Sequence, residues 1–449
     1  MTDPFDRLRQ PVEPLAPPSG TFDLLRARAR RRRTARAAAM VALATVIIAG
    51  AGGLAFTAGR PASSGRLEGP AGGGTPPPSV STAPTGQRPS PAAASTRPTP
   101  RSTPPAPAVS LPHGPVPPGF LPYSVTSVGA GVTYLLGNAP CRAAPCTSVV
   151  RSTDGGRSWV GVPAPKAPLP RWQDGRLSPA ATVRDLRFAS VRDGWAYGGA
   201  LYSTHDAGGA WRAVDIGGSV LDLATDGTTT YAVVATCDVR GYSCTNARLR
   251  STPASRDQWR EIPGVAGGSG GGISLSGRTG VLLLTGGAQP DRLWVRAGSH
   301  WQPAAVPACP NGVSAVVTSA SSPRLFASCG EGAAGSVYLT TYISDDAGRS
   351  WHRQAGPGLQ LPNGQVSVAA PAADVVLAAS GTPDAGGRLA RSVDGGATWG
   401  DAVLPQLPNG WRYVGARSSA SAVALPAKPD GSVWTSQDAG SSWTAYRFR

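Results

Sequence analysis

The stretch Ser152-Thr153-Asp154-Gly155-Gly156-Arg157-Ser158-Trp159 recurs, in varied form, through the C-terminal two thirds of this 449-residue chain. Five clear copies share a Ser or Thr, then Asp, Gly and Trp at fixed spacing: Ser152, Asp154, Gly156, Trp159; Thr204, Asp206, Gly208, Trp211; Ser344, Asp346, Gly348, Trp351; Ser392, Asp394, Gly396, Trp399; and Ser436, Asp438, Gly440, Trp443. Two eroded copies end at Trp259 and Trp301, so the seven tryptophans are 52, 48, 42, 50, 48 and 44 residues apart. A period of about 40–50 residues, each unit rich in short β-type runs, is typical of a propeller built blade by blade. The repeat predicts an all-β, seven-bladed β-propeller over residues 119–449.

Each repeated residue type has a structural reason to recur. An Asp carboxylate can accept hydrogen bonds from backbone N–H groups of its own turn, and Gly adopts a positive φ without a Cβ penalty. The Trp buries a large aromatic face against a neighbouring hairpin. We therefore expect the motif to be the turn between the third and fourth strands of each blade, and its residues to be scaffold rather than a binding ring.

The motif resembles the Asp box, or BNR repeat, of sialidases, sortilin-type receptors and photosystem II assembly factors. The segment Asp193-Gly194-Trp195-Ala196-Tyr197-Gly198 of the second repeat looks most like the assembly-factor subgroup. The resemblance covers roughly residues 120–449 and implies a propeller, but it implies no particular ligand. In the second blade, period-2 patterns predict strands over residues 183–189, 194–198, 201–204 and 211–215.

The residues before the propeller divide into three segments by composition. Residues 1–36 carry nine Arg against four acidic residues and are predicted to be a cytoplasmic tail. Residues 37–59 are 23 residues without a charge. At 1.5 Å per residue they would span roughly 34 Å as a helix, enough to cross a bilayer. The arginines on their N-terminal side place the N-terminus inside, although a cleaved signal peptide is the alternative. Residues 60–118, rich in Pro, Ser and Thr, indicate a disordered stalk.

These segments predict a single-pass protein of the plasma membrane, with an extracellular propeller. Only Lys166 and Lys428 are lysines, an Arg preference that favours a high-GC bacterium. The formal net charge of +16 is spread over tail, stalk and propeller. Without a basic stripe on the propeller, nucleic acid is not an expected partner.

All six cysteines lie in the predicted propeller, and an even number outside the membrane favours disulfides. The blade register predicts pairing in sequence order, Cys141 with Cys146, Cys237 with Cys244, and Cys309 with Cys329. All three bridges then lie on the face formed by the connections between second and third strands and between successive blades.

The resemblance to sialidases implies a chemistry that uses an arginine triad, a Tyr nucleophile activated by a Glu, and an Asp acid. The predicted propeller contains only two glutamates, Glu261 and Glu331, and no catalytic motif. The sequence therefore predicts no catalytic residues, no metal site and no cofactor, with an exo-sialidase-like glycoside hydrolase as the alternative.

The leading interpretation is a membrane-anchored binding or scaffold module for an extracellular protein or a cell-envelope glycan, because loops on a rigid scaffold often carry recognition. The candidate ligand face comprises Trp172, Trp411, Arg240, Tyr242 and Glu331. The alternative for the two tryptophans is packing between blades. A third interpretation is an envelope sensor that signals to a cytoplasmic protein through residues 1–36.

Overall fold

The computed structural model describes residues 111–129, 131–142, 146–170, 181–238, 243–286, 290–333, 336–362, 365–382, 385–404 and 407–449. The predicted tail, membrane helix and most of the predicted stalk lie outside these residues. Among the residues described, no helix is long and apolar enough to cross a membrane.

Within the described residues the chain forms seven antiparallel blades, each a meander in which consecutive strands pair. Blade 1 contains β1 (Leu121–Val128), β2 (Val132–Asn138), β3 (Thr147–Ser152) and β4 (Val160–Val162); blade 2 contains β5 (Asp185–Phe188), β6 (Gly194–Tyr197), β7 (Leu201–Thr204) and β8 (Arg212–Ala213); blade 3 contains β9 (Ser219–Thr225), β10 (Thr229–Cys237), β11 (Cys244–Pro253) and β12 (Arg260–Ala266); blade 4 contains β13 (Gly270–Ser276), β14 (Thr279–Thr285), β15 (Arg292–Ala297) and β16 (His300–Ala304). Blade 5 contains β17 (Val313–Thr318), β18 (Leu325–Ala333), β19 (Ser336–Ser344) and β20 (His352–Arg353), with β21 (Leu359–Pro362) pairing on β19 as a fifth strand; blade 6 contains β22 (Gln365–Ala369), β23 (Val376–Thr382), β24 (Ala385–Ser392) and β25 (Gly400–Asp401); blade 7 contains β26 (Trp411–Ala416), β27 (Ala422–Pro426), β28 (Ser432–Ser436) and β29 (Thr444–Arg447). The seven-bladed prediction is confirmed.

The core lies between blades rather than within them. In the described residues a cluster of buried apolar side chains occupies each blade-to-blade interface. Between blades 1 and 2 the rings of Tyr134 and Phe188 stack with centroids 3.7 Å apart. Between blades 7 and 1 the ring of Phe448 meets those of Phe120 and Trp159 edge-on, at 5.0 and 5.4 Å. These last contacts close the ring.

The turns between third and fourth strands follow one hydrogen-bonding plan, and we call the five clear copies the aspartate turns. In the blade 6 copy the Ser392 hydroxyl donates to Asp394 Oδ1 (2.8 Å) and accepts from the Gly396 N–H (2.7 Å). Asp394 Oδ1 also accepts from the Thr398 N–H at 2.8 Å. The same contacts recur around the other four aspartates. The turns therefore satisfy their own polar groups.

The tryptophans that follow the aspartate turns donate their indole N–H in two ways. Trp159, Trp399 and Trp443 donate to the Gly carbonyl of their own turn, each at 3.1 Å. Trp211 and Trp351 instead donate to the preceding blade, at Pro163 O (2.9 Å) and Ala305 O (2.8 Å). The second arrangement ties one blade to the next.

Residues 111–118, which the sequence assigned to the stalk, pack on the outside of blade 1. Gly114 and Gly161 exchange both backbone hydrogen bonds, at 2.8 and 2.9 Å, and Pro112 O accepts from Arg151 Nη2 at 2.9 Å. A Cβ on Gly161 would lie 2.2 Å from the carbonyl oxygen of Pro115. Backbone pairing at a glycine therefore holds this Pro-rich segment against blade 1, although it has no core of its own.

The three predicted disulfides, Cys141–Cys146, Cys237–Cys244 and Cys309–Cys329, are present within the described residues. The first two span the connections β2–β3 and β10–β11. Cys329 lies within β18, opposite Val313 at the start of β17. All three bridges lie at the ends of the blades opposite the aspartate turns, and we call this end the disulfide face.

Candidate functional site: the mouth of the central channel

The innermost strand of each blade lines the central channel, and side chains link these strands around the ring. Ser124 Oγ of β1 accepts from the Leu186 N–H of β5 (3.1 Å), and Asp222 Oδ2 of β9 accepts from the Ile273 N–H of β13 (2.9 Å). Equivalent contacts join β13 to β17 and β22 to β26. A side chain of one blade thus satisfies the free strand edge of the next blade.

Charged and aromatic side chains gather where the inner strands begin, at the disulfide face. We call this set the channel-mouth cluster, and it comprises Tyr123, Arg184, Asp185, Arg187, Tyr197, Asp222 and Arg412. The cluster draws on blades 1, 2, 3 and 7. Arg187 and Asp222 are enclosed by protein yet keep accessible surface, which places them on the wall of the channel.

Arg187, Tyr197 and Asp222 form a hydrogen-bonded chain. Arg187 Nη2 donates to the Tyr197 hydroxyl at 3.3 Å, and that hydroxyl donates to Asp222 Oδ1 at 3.3 Å. Burial raises the pKa of Tyr197 well above its usual value, although the charge of Arg187 opposes the shift. Burial also raises the pKa of Asp222, and Arg187 and two backbone N–H donors only partly offset it. The phenol is therefore held protonated and acts as a hydrogen-bond relay.

Arg184 lies at the rim of the mouth and pairs with its chain neighbour. Its Nε lies 3.2 Å from Asp185 Oδ2, and its Nη2 donates to Leu221 O at 2.7 Å. An open cleft of about 380 Å³ lies beside it, lined by Arg184, Leu221, Ser243, Cys244, Ser269, Gly270 and Gly271. Since Cys244 belongs to a disulfide, a covalent bridge fixes one wall of this cleft.

Arg412 projects from β26 across the junction between blades 7 and 1. Its guanidinium carbon lies 3.6 Å from the centroid of the Tyr123 ring, in cation–π geometry. Arg412 is 8% exposed, and its Nη1 and Nη2 have no hydrogen-bond partner among the described residues. Burial lowers the pKa of Arg412, and the charge of Asp185 opposes this shift.

Two of the five predicted ligand-face residues, Trp411 and Glu331, lie within the described part of the chain. Trp172, Arg240 and Tyr242 lie outside the described residues. Trp411 is 3% exposed and packs edge-on against Trp434, with centroids 5.8 Å apart, between blades 6 and 7. The buried indole therefore follows the alternative, packing between blades, rather than lying on an exposed ligand face. Glu331 is exposed and lies in β18, opposite Tyr338.

The remaining acid and base candidates do not converge on the channel mouth. Glu261 lies on the outer strand β12, 3.5 Å from Arg248, two blades away from Glu331. His205, in the blade 2 aspartate turn, places its ring nitrogens 2.9 Å from Asp193 and 3.3 Å from Asp257 and so ties blade 2 to blade 3. In the part of the chain that is described, no group of three or more His, Cys, Asp or Glu side chains could hold a metal ion.

The sequence analysis missed the channel-mouth cluster. One signal was available, since Arg184-Asp185-Leu186-Arg187 puts three charges at the start of a predicted inner strand. Arg412 gave no such signal, because it stands between two aromatic residues in a strand that otherwise indicates burial.

Comparison with known proteins identifies fold neighbours only. No family model matches the chain, and no curated protein matches it. Among solved structures, YCF48 from Cyanidioschyzon merolae is 14% identical, over 72% of this chain and 97% of that one, with a TM-score of 0.46. A YCF48 structure bound to D1 peptide is 14% identical, over 74% and 97%, with a TM-score of 0.43. A GH74 xyloglucanase from Xanthomonas campestris is 16% identical, over 72% of each chain, with a TM-score of 0.28.

Proposed function

We propose that this chain is a membrane-anchored, non-catalytic recognition module that binds an extracellular protein or a cell-envelope glycan at the channel mouth. The observation that carries the proposal is the convergence of Arg184, Asp185 and Arg412 at one end of the ring, beside an open polar cleft. Recognition sites are typically concave and hold a few convergent polar groups.

The disulfide face suits recognition better than the opposite end of the blades. At the opposite end the aspartate turns already satisfy their hydrogen-bonding groups internally. At the disulfide face, three bridges tie strand ends and their neighbouring residues together, and a preorganised surface loses less entropy when it binds.

The electrostatics of the cluster favour binding over glycoside hydrolysis. A Tyr nucleophile must lose its proton to a neighbouring base, and burial raises the pKa of Tyr197, which opposes formation of the phenolate. The two glutamates, Glu261 and Glu331, lie in different blades. A hydrolase would need two carboxyl groups about 5–10 Å apart around one sugar bond.

The proposal is tested by cross-linking the full chain, purified in mild detergent, to envelope extracts and identifying enriched partners by mass spectrometry. Arg184→Ala should abolish the enrichment. The matched control is Arg324→Ala, which removes another partly exposed arginine that pairs with a neighbouring aspartate, Asp345 of blade 5. Equal enrichment in all three proteins would refute the channel mouth as the binding site.

Two further arms separate the alternatives. Turnover of sialyl-lactose or other glycosides that disappears in Asp222→Asn would establish the hydrolase instead. Enrichment that requires residues 1–36 would identify a cytoplasmic partner and favour the sensor. Protease added to intact cells should release a fragment that begins in residues 60–110, and protection of the propeller would refute the proposed topology.

A further inference from the structure

Arg412 is a buried cation whose terminal nitrogens lack partners. It is 8% exposed, and neither Nη1 nor Nη2 forms a hydrogen bond to a described residue. Burying an ionised group without pairing it is costly, so such a group in a folded protein calls for an explanation. The face of the guanidinium is used by Tyr123, so the atoms that lack a partner are Nη1 and Nη2, both of which are buried in this structure.

Two other buried arginines show what this position lacks. Arg296 is also 8% exposed and also stacks on a tyrosine, with its guanidinium carbon 5.1 Å from the Tyr231 ring centroid. Its Nη2, however, lies 2.6 Å from Asp226 Oδ2. Arg151 lies over the Tyr134 ring at 5.9 Å and donates from Nη2 to Pro112 O. In both cases an oxygen of the chain meets a terminal nitrogen of the guanidinium, whereas among the described residues no oxygen meets Nη1 or Nη2 of Arg412.

The charges of the channel-mouth cluster indicate how much negative charge a bound ligand would have to supply. Asp185 pairs with Arg184 at 3.2 Å. The negative charge of Asp222 offsets the positive charge of Arg187, to which it is linked by hydrogen bonds through the Tyr197 hydroxyl. Arg412 is left as one uncompensated positive charge within the cluster. A singly charged anion would neutralise it, whereas a dianion would leave an excess of negative charge beside Asp185 and Asp222.

We propose that Arg412, stacked on Tyr123, is a binding site for the carboxylate group of a ligand. Two parallel N–H groups on a guanidinium edge match the two oxygens of a carboxylate in a bidentate pair. The position of Arg412 near the start of β26 puts this site at the disulfide end of the channel. The inference deepens the proposed function and rests on it, because it names the group that the channel mouth recognises.

The experiment measures binding of sodium acetate to the full chain in mild detergent, by calorimetry and thermal shift, with sodium chloride at matched ionic strength as the reference. Arg412→Met should weaken acetate binding about tenfold or more, since a charge-assisted bidentate pair is lost. Arg412→Lys keeps the charge but loses the fork, and should weaken it less. The matched control is Arg296→Lys, which changes the arginine that already has its carboxylate and should leave acetate binding unchanged.

Additional probes separate the sources of the carboxylate. A short peptide with a free C-terminus that binds more tightly than its amidated form would identify a chain terminus, whereas equal binding of the two peptides, with acetate bound, would identify a small free carboxylate. Sulfate binding more tightly than acetate would overturn the argument for a singly charged anion.

Acetate binding that is no better than chloride, or that is unchanged in both Arg412 variants, would overturn the site itself. If that happened while Arg184→Ala still abolished partner enrichment, only this inference would fail. Acetate binding at Arg412 without any partner enrichment would leave the site standing and refute the proposed function.

Discussion

Replacing Ala347 by Gly should stabilise the propeller. Ala347 precedes the Gly of its aspartate turn and has φ of 59°, and the equivalent Ala207 and Ala439 have φ of 65° and 55°. The first and sixth blades carry Gly155 and Gly395 at this position, also with positive φ. The left-handed region is unfavourable for a residue with a Cβ, so three of the five described turns contain local strain that two avoid.

The size of the effect depends on what the methyl group contacts. A left-handed alanine costs about 1–2 kcal/mol, and a glycine costs about 0.4–1 kcal/mol through the entropy of the unfolded chain, so Ala347→Gly should gain about 0.5–1 kcal/mol. Ala347 is exposed and loses no packing. Ala207 is fully buried, and losing a buried methyl costs about 0.8 kcal/mol, so Ala207→Gly should be close to neutral.

Gly155→Ala provides the reciprocal test. A Cβ at Gly155 would meet nothing within 4 Å, so the backbone alone sets its cost, and it should destabilise by about as much as Ala347→Gly stabilises. Urea denaturation of the four proteins measures the free energies of unfolding. A loss of stability in Ala347→Gly, or equal changes in Ala347→Gly and Ala207→Gly, would refute the reasoning.

Acid should weaken the aspartate turns. The Ser442 hydroxyl and amide lower the pKa of Asp438 to about 2. The stability that the charge of Asp438 contributes is therefore present above pH ~4 and is lost as the pH falls through about 2. The melting temperature of the wild type should then fall more steeply over that window than that of Asp438→Asn, and parallel curves would contradict this. At the ring closure, Phe448→Ala should lower the free energy of unfolding by about 3 kcal/mol, because Phe448 packs on Phe120 and Trp159; an unchanged denaturation midpoint would mean that the closure depends on other contacts. Replacing both cysteines of the Cys309–Cys329 bridge by Ala should cost about 3 kcal/mol, against about 2 kcal/mol for Cys141–Cys146, since the bridges span sequence separations of 20 and 5; equal losses in denaturation would argue against loop entropy as the cause.

The parts of the fold that were predictable are those whose interactions are local in sequence. An aspartate turn satisfies its hydrogen bonds within about seven residues, so its spacing alone indicates a hairpin, and the predicted strand 201–204 coincides with β7. Residues 111–118 could not be placed this way. Their Pro-rich composition indicates that they bury no core of their own, yet they attach to blade 1 through long-range contacts, among them the Gly114–Gly161 pairing across 47 residues of sequence.

Trp411 illustrates a second reason why prediction failed. A tryptophan near the start of an inner strand can face either the channel or the neighbouring blade. The register shift between Trp411 and Tyr413 in the pairing of β26 with β27 disturbs the alternation on which such an assignment depends. The indole packs between blades as a result, and the next residue, Arg412, reaches across to Tyr123.

The environment of Arg412 is the feature of the channel mouth that the sequence could least predict. Nothing local distinguishes it from Arg296, since both are buried arginines on strands and both stack on a tyrosine. The difference is that Asp226 meets Arg296, whereas Asp185, the carboxylate whose charge acts on Arg412, pairs with Arg184. That difference depends on three strands, β26, β1 and β5, drawn from three blades, and exists only once the ring has closed. A repeat can therefore specify a scaffold through local turns, while the chemistry of its channel mouth depends on residues that the repeat leaves free to vary.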